Sequence, residues 1–229
     1  MAPRIQLIHA VAAAQEPAHK AFSSLWPEAQ LADLIDSSLA TDLAELEGVR
    51  NLSKSALAKN FSKRMAMLVS YSVDTGAEAI MFTCSAFGAA IEEARLGVEI
   101  PVLKPDEAMI SRALNLCKAG AGRIGGLATF KPTIQSLTSE LEAALENSFS
   151  YPEIVFHFVP YALEQLNKGN KLEHDRLIID AASAMTNVDI LMLAQFSMSS
   201  VQDVISQASS CEVLASPNEA VLQLKSMLN

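Results

Sequence analysis

The chain has 229 residues, of which 50% are hydrophobic and 19% are charged, and its formal net charge is −9 at pH 7. This composition is typical of a soluble globular protein that buries a substantial core, as one domain or two small ones. The negative charge argues against nucleic acid or an anionic membrane surface as a partner. No apolar stretch reaches the ~20 residues needed to cross a bilayer, and no secretory signal precedes the first strand-like run, so we expect a cytoplasmic protein.

Short apolar runs with β-branched residues alternate with longer stretches of helical periodicity, which predicts βα units around a parallel sheet. In the first half the pattern predicts a strand at residues 5–9, a helix at 17–26, a weaker strand at 30–35, a long helix at 53–75, a buried strand at 79–83, and a helix that follows Cys84 and runs to Leu96. Two prolines, Pro101 and Pro105, mark the predicted crossover to the second half.

The same order recurs in the second half. It predicts a strand at 124–128, a helix from Pro132, a strand at 154–159, a helix at 173–187, a strongly apolar strand at 188–194, a strand at 212–215, and a last helix that begins with a capping box at 216–219 and runs to Leu228. The order strand, helix, strand, long helix, buried strand therefore occurs twice, without convincing residue identity between the halves.

Four of the predicted strands end on residues that could carry chemistry: His9, Cys84, Thr129 and Gln195. Ligands of parallel α/β sheets bind at the carboxyl ends of the strands, so these residues are the first candidates for a functional site.

Cys84 is the strongest candidate, because it follows a buried strand and precedes a helix. Amide N–H groups and the positive end of the helix dipole favour the thiolate at such a position, and Thr83 and Ser85 add hydroxyl groups beside it. The alternative is an inert buried thiol. The other two cysteines, Cys117 and Cys211, are expected to be structural or incidental, and none of the three has metal-ligand spacing to another cysteine or a histidine.

The second half offers two polar turns. Thr129 and Thr133 border a strand-to-helix turn whose unpaired N–H groups could hold a carboxylate, although both could equally be ordinary cap residues. Gln195 and Ser197 follow the most apolar strand and could bind a carboxylate or an oxyanion, or cap the next helix. His9 is either a base facing the same site or a structural hydrogen-bonding residue.

These residues resemble the aspartate/glutamate racemase superfamily, which includes glutamate, aspartate and hydantoin racemases, maleate cis–trans isomerase and arylmalonate decarboxylase. Four segments carry the resemblance: Leu7-Ile8-His9, Phe82-Thr83-Cys84-Ser85, Leu127-Ala128-Thr129 with Thr133, and Leu191-Met192-Leu193-Ala194-Gln195. Together they span nearly the whole chain.

The resemblance implies an α/β fold of two similar flavodoxin-like lobes with parallel sheets and an active site in the cleft between them. The last helix should return to the first lobe, so that residues 1–103 and 208–229 form that lobe and residues 104–207 form the second. It also implies chemistry without a cofactor or metal, in which two cysteines, one from each lobe, remove and return the α-proton of a small carboxylate. Cys84 matches the first-lobe cysteine.

Gln195 stands where the second cysteine is implied, and Phe196 and Ser197 beside it are not thiols either. A glutamine cannot act as an acid or base near neutral pH. Three hypotheses therefore remain open: a racemase or epimerase in which His9 or a water-linked group supplies the second proton, a single-thiol cis–trans isomerase or decarboxylase, and a binding protein without catalysis.

The expected partner is a small carboxylate-bearing substrate, amino-acid-like or hydantoin-like, with Cys84 as the catalytic thiol. Seven other residues are expected to bind it: His9, Thr83, Ser85, Thr129, Thr133, Gln195 and Ser197. A homodimer is the commonest expectation for a soluble enzyme.

Overall fold

The computed structural model describes residues 2–47, 54–145 and 152–228. The chain divides into two compact units, one made of Met1–Pro105 and Ala220–Asn229, the other of Asp106–Glu219. The first boundary lies two residues from the predicted one. The second lies after Glu219 rather than at 208, because the strand at Glu212–Ala215 pairs with a strand of the second unit and residues 208–219 follow that sheet.

The first unit is a four-stranded parallel sheet with helices. Its elements are β1 (Arg4–His9), α1 (Gln15–Leu25), β2 (Gln30–Ile35), α2 (Ser38–Glu47), α3 (Lys54–Asp74), β3 (Ala79–Phe82), α4 (Gly88–Arg95) and β4 (Val102–Leu103). The strand order is β2-β1-β3-β4, and every neighbouring pair is parallel.

The second unit repeats this arrangement. Its elements are α5 (Glu107–Lys118), β5 (Arg123–Ala128), α6 (Lys131–Leu145), β6 (Glu153–Phe158), α7 (Ala162–Asn167), α8 (Lys171–Ser183), β7 (Ile190–Leu193), α9 (Gln202–Ala208), β8 (Glu212–Ala215) and the start of α10 (Ser216–Leu228). The order β6-β5-β7-β8 is again fully parallel, so the α/β fold and the predicted repeat are confirmed.

The central strands are buried on both faces, which explains why β3 and β7 are continuous apolar runs rather than alternating ones. In β7, successive side chains enter two different core clusters. Met192 packs with α5 and α6 residues on one face, while Leu191 and Leu193 pack with α8 residues on the other. The sheet of the second unit is therefore covered by helices on both sides.

Gly126, in the middle of β5, allows the Phe156 ring of the neighbouring strand β6 to lie against the β5 backbone. A Cβ atom at position 126 would stand 1.9 Å from a ring carbon of Phe156. The two residues are register partners, so a side chain at position 126 would force either the Phe156 ring or the strand pairing to shift. Glycine avoids this cost.

No helix in the described part of the chain is long and apolar enough to span a membrane.

Candidate active site

Cys84 follows the carboxyl end of β3. Its backbone is extended (φ −118°, ψ 115°), and a 3-10 turn at Ser85–Phe87 leads into α4 at Gly88. The predicted helix therefore begins four residues after Cys84, with the 3-10 turn in between. Cys84 is half-buried and forms no disulfide.

The residues on either side of Cys84 are buried. Thr83 donates its backbone N–H to the Ile8 carbonyl at 3.0 Å, which fixes the end of β3 against β1. Ser85 opens the 3-10 turn and is 8% exposed. The Cys84 segment is therefore held on both sides by buried polar residues.

His9, the last residue of β1, lies fully buried between Thr83 and Asp33. Its Nδ1 atom is 2.9 Å from Thr83 Oγ1, and its Nε2 atom is 3.0 Å from Asp33 Oδ1 on β2. Both ring nitrogens are engaged, so His9 holds Thr83 in place within this unit. Its contact with a substrate stays a prediction.

Asp33 is shared by two histidines. The exposed His19 of α1 places its Nε2 atom 2.9 Å from both carboxylate oxygens, on the same carboxylate that accepts from His9. Burial alone would raise the pKa of Asp33, but the hydrogen bonds from His19 and His9 outweigh it and lower the pKa. Asp33 is therefore an anion that accepts from both rings.

The protonation of His9 follows from these contacts. Burial lowers its pKa below the ordinary value, and the bond to Asp33 offsets this only in part. The ring is therefore neutral near pH 7, with its proton on Nε2, because ionised Asp33 can only accept. Nδ1 then accepts from the Thr83 hydroxyl, whose other acceptor, the Ile8 carbonyl, is farther away at 3.4 Å.

In the second unit, Gln195 and Thr129 are bonded to each other at the ends of two neighbouring strands. Gln195 Oε1 accepts from the Thr129 backbone N–H at 2.8 Å and from its hydroxyl at 3.3 Å. This fixes the orientation of the amide. Its Nε2 group is buried and has no hydrogen-bond partner among the described residues. The Nε2 group of Gln195 is therefore a donor available to a ligand that binds beside it.

Thr133 and Ser197 lie in the turns that follow these strand ends. Thr133 is buried in the first turn of α6, and its N–H donates to the Phe130 carbonyl at 3.2 Å. Ser197 is half-buried in a 3-10 turn at Phe196–Val201. Both polar turns predicted in the second half are thus found at the carboxyl edge of its sheet.

The 3-10 turn at Phe196–Val201 is anchored by Asp175 of α8, which accepts from Ser200 Oγ at 3.0 Å and from Lys171 Nζ at 2.8 Å. Asp175 also accepts from Nδ1 of its neighbour His174 at 2.8 Å. The Nε2 atom of His174 is buried without a hydrogen-bond partner among the described residues. Burial lowers the pKa of His174 despite its contact with Asp175, so this ring is also neutral.

The structure thus gathers the predicted residues into two clusters, one in each unit. Asp33, His19 and Asp175 were not predicted. Asp33 lies two residues before the end of its strand, where no strand-end rule points to it. The signal that could have found it is a carboxylate on the strand next to the one that ends in His9.

Cys117 is buried in α5, where burial raises the pKa of its thiol, as does the charge of Asp189. It is a neutral core residue, in agreement with the sequence-based interpretation. Cys211 is half-buried, with its Sγ atom 3.4 Å from Ser209 Oγ. Among the described residues, no group of three or more histidine, cysteine or acidic side chains is placed to hold a metal ion.

The fold and these strand-end clusters define a chain of two flavodoxin-like α/β units with the same topology. The profile of the Asp/Glu/Hydantoin racemase family matches residues 8–224. The chain belongs to this family, which places it among isomerases of the Asp/Glu racemase type. No curated protein matches its sequence significantly.

Solved structures of racemases share the fold. Allantoin racemase from Klebsiella pneumoniae has a TM-score of 0.70 at 15% identity, over 99% of this chain and 88% of that one. Aspartate racemase from Picrophilus torridus has a TM-score of 0.72 at 14% identity, over 98% and 94%. Glutamate racemase from Francisella tularensis subsp. tularensis SCHU S4, solved in complex with D-glutamate, has a TM-score of 0.68 at 16% identity, over 99% and 80%.

Proposed function

We propose that the protein is a cofactor-independent racemase or isomerase that acts at the α-carbon of a small carboxylate, amino-acid-like or hydantoin-like, with Cys84 as its catalytic thiol. The observation that carries this proposal is the position of Cys84. It follows a buried strand of a parallel sheet, between buried Thr83 and Ser85, in a chain of the racemase family.

The proposed chemistry uses Cys84 as the base. Its thiolate takes the α-proton and becomes a thiol, and the electron pair left on the α-carbon moves into the carboxylate to form an enediolate. For racemisation, a water-linked group protonates the opposite face of the enediolate, which restores the carboxylate, and the Cys84 thiol gives its proton to the hydroxide that this leaves. Return of the proton from Cys84 itself gives exchange without inversion. His9 is a positioning residue in this proposal. It binds the hydroxyl group of Thr83, the residue that precedes Cys84.

The second unit supplies hydrogen bonds in this proposal. The buried Nε2 group of Gln195 is a donor, and its orientation is fixed by the Thr129 N–H. A fixed donor stabilises an oxyanion without reorganising as charge develops, so Gln195 would hold the substrate carboxylate or the enediolate. Thr133 and Ser197 add hydroxyl groups to the same role.

The test is α-proton exchange in deuterated water, followed by proton NMR across amino acids, hydantoins, malonates and hydroxy acids. We expect exchange with at least one substrate class. We expect its loss in Cys84→Ala, by about a hundredfold or more, since the base is gone. Cys211→Ala is the matched control and should exchange at the wild-type rate. Exchange that survives in Cys84→Ala would contradict the proposal, as would tight ligand binding with no exchange or turnover anywhere in the panel.

Gln195 favours a second candidate, a single-thiol isomerase or decarboxylase, because a glutamine cannot deliver a proton. Under this candidate the wild type exchanges the α-proton, or protonates a decarboxylated enediolate, without inverting the α-carbon. We expect Gln195→Cys to add net racemisation to exchange, and Gln195→Ser to leave racemisation absent. Chiral chromatography of the products distinguishes the two. Rapid racemisation by the wild type would exclude the single-thiol reading.

A further inference from the structure

A pocket of about 340 Å³ opens in the second unit at the carboxyl ends of β5 and β6. Thr129, which follows β5 and binds Gln195, forms part of its wall. The pocket therefore adjoins the polar cluster of the second unit. The rest of its lining lies outside the seven residues that the sequence analysis expects to bind the substrate.

Three of the eight residues that line the pocket are aromatic. Phe158 ends β6 and is 37% exposed, Tyr161 is 69% exposed, and Phe130 lies between Thr129 and α6. Aromatic surface left in water is unfavourable, and exposed aromatic side chains grouped around a concave site are typical of ligand pockets. This grouping suits a planar ring, because aromatic rings prefer offset-stacked or edge-to-face neighbours.

Tyr161 is held in a strained conformation beside this pocket. Its φ of 65° lies in the left-handed region, and it is the only non-glycine residue among those described with positive φ. Such a backbone is unfavourable for a bulky side chain, and strained residues of this kind cluster at ligand-binding positions. Tyr161 is the N-cap residue of α7, and its side chain forms part of the pocket wall.

The pocket also carries a positive charge that no described residue neutralises. Lys131, the first residue of α6, lies with its ammonium group 5.1 Å from the centroid of the Phe158 ring, and it forms no ion pair with a described residue. The acidic residue of the wall, Glu164, is paired with Lys168 at 2.5 Å. The unneutralised charge and the N-terminus of α6 both favour an anionic group on the ligand.

We propose that this pocket binds the ring of an aryl- or heteroaryl-substituted carboxylate, with the ring against Phe158 and Tyr161. The carboxylate that Gln195 holds in the proposed function then also faces the charge of Lys131, since Thr129 of the same wall is bonded to Gln195. This inference rests on the proposed function, and it deepens it by naming the substrate class. Phe158 and Tyr161 are its specificity-determining residues.

The first experiment measures binding by isothermal titration to Cys84→Ala protein, so that turnover plays no part. The probes are phenylacetate, cyclohexylacetate of similar size without a planar ring, 2-phenylethanol without the charge, and acetate. We expect phenylacetate to bind tightest. In Phe158→Leu it should bind about tenfold more weakly while acetate is unaffected. Lys131→Gln should weaken phenylacetate but not 2-phenylethanol, and Lys168→Gln is the control that should change neither.

Tyr161 gives a readout that a merely structural role would not produce. Asparagine tolerates the left-handed conformation, so Tyr161→Asn should keep or raise the melting temperature while it weakens phenylacetate binding. Tyr161→Phe keeps the ring and should bind as the parent does. Equal binding of phenylacetate and acetate, or phenylacetate binding unchanged in both Phe158→Leu and Tyr161→Asn, would overturn the inference.

The two proposals fail separately. Deuterium exchange confined to small aliphatic substrates would overturn the aromatic pocket and leave the proposed function standing. Phenylacetate binding that depends on Phe158, in a protein that exchanges no α-proton, would do the reverse.

Discussion

Asp33 is the residue on which the polar network of the first unit depends, because one carboxylate accepts from a fully buried histidine and from an exposed one. The two bonds differ in what their loss would cost. Without Asp33, the Nε2–H of His9 remains buried and unsatisfied, whereas the partner bond of His19 is replaced by water.

We therefore expect Asp33→Ala to lower the free energy of unfolding by about 1–3 kcal/mol, the cost of an unsatisfied buried donor. His19→Ala removes only the exposed contact and should cost under about 1 kcal/mol. Urea unfolding at pH 7.5 measures both. Equal losses in the two variants would show that the buried bond to His9 carries no special weight. Asp33→Ala should also slow α-proton exchange, because Asp33 no longer keeps the His9 proton on Nε2 and Nδ1 is then no longer fixed as the acceptor of the Thr83 hydroxyl.

The two buried histidines give the stability of the protein a definite pH dependence. Burial lowers the pKa of His9 and of His174 in the folded chain, while the unfolded chain titrates near its ordinary value of about 6.5. Below that pH the unfolded state binds more protons than the folded state, so stability falls as the pH falls. The carboxyl groups whose pKa is lowered, such as Asp33 and Asp175, contribute in a lower pH window.

We expect the urea midpoint to be lower at pH 5.5 than at pH 7.5. His174→Asn keeps a donor for Asp175 but cannot be protonated, so it should remove part of this difference. His157→Asn, at an exposed position of β6, is the control and should leave it unchanged. A midpoint that does not move between the two pH values would show that the lowered pKa of the two buried histidines does not govern how stability changes with pH.

At the scale of elements, the sheet of the second unit depends on the close approach of Phe156 to β5. We expect Gly126→Ala to lower the free energy of unfolding by about 1–3 kcal/mol, since the added methyl group forces either the ring or the strand to move. Gly97→Ala is the matched control, because its new Cβ would meet only the Ala94 carbonyl oxygen at an ordinary 3.7 Å. Thermal unfolding compares the two. A neutral Gly126→Ala would mean that the Phe156 ring can turn aside.

The sequence predicts best those strands whose burial leaves a clear hydrophobic pattern in their own residues. β3 and β7 are buried on both faces, so they appear as unbroken apolar runs that a sequence can reveal. β4 has only two residues, Val102 and Leu103, beside Pro101, and pairing with β3 alone makes it a strand. No local pattern encodes that pairing. The 3-10 turn after Cys84 was likewise hidden, because its residues are equally compatible with a continuous helix.

The candidate site was predictable in the same partial way. Strand ends could be inferred from hydrophobic patterns, which is why Cys84, Thr129 and Gln195 were found. The bond between Thr129 and Gln195 depends on β5 and β7 being neighbours in the sheet. The link from His19 through Asp33 to His9 depends on the pairing of β1 with β2 and on the position of α1. Those contacts arise only when the chain folds.

At the scale of the whole molecule, the last helix belongs to both units. α10 begins within the second unit, and its residues from Ala220 onward group with the first. Leu224 is fully buried there, and Lys225 Nζ donates to the Leu25 carbonyl at 2.9 Å. The first unit is therefore completed only by the last residues of the chain, and it cannot finish folding until they are present.

We expect Leu224→Ala to lower the free energy of unfolding by about 2–5 kcal/mol, as for other large core residues cut to alanine. Leu222→Ala, two residues earlier on the same helix and 48% exposed, should change it by under about 0.5 kcal/mol. Hydrogen exchange should localise the loss from Leu224→Ala to amides of residues 2–105. Loss of protection spread equally over both units would indicate that they unfold as one.

The left-handed backbone at Tyr161 has a consequence for how this chain can vary. A position with φ of 65° accepts glycine and asparagine most readily, so a library selected for thermal stability alone should drift away from tyrosine there. A library selected for growth on an aryl carboxylate should instead retain an aromatic residue. Comparing the residue frequencies at codon 161 under the two selections would show whether ligand binding maintains a tyrosine that lowers the stability of the fold.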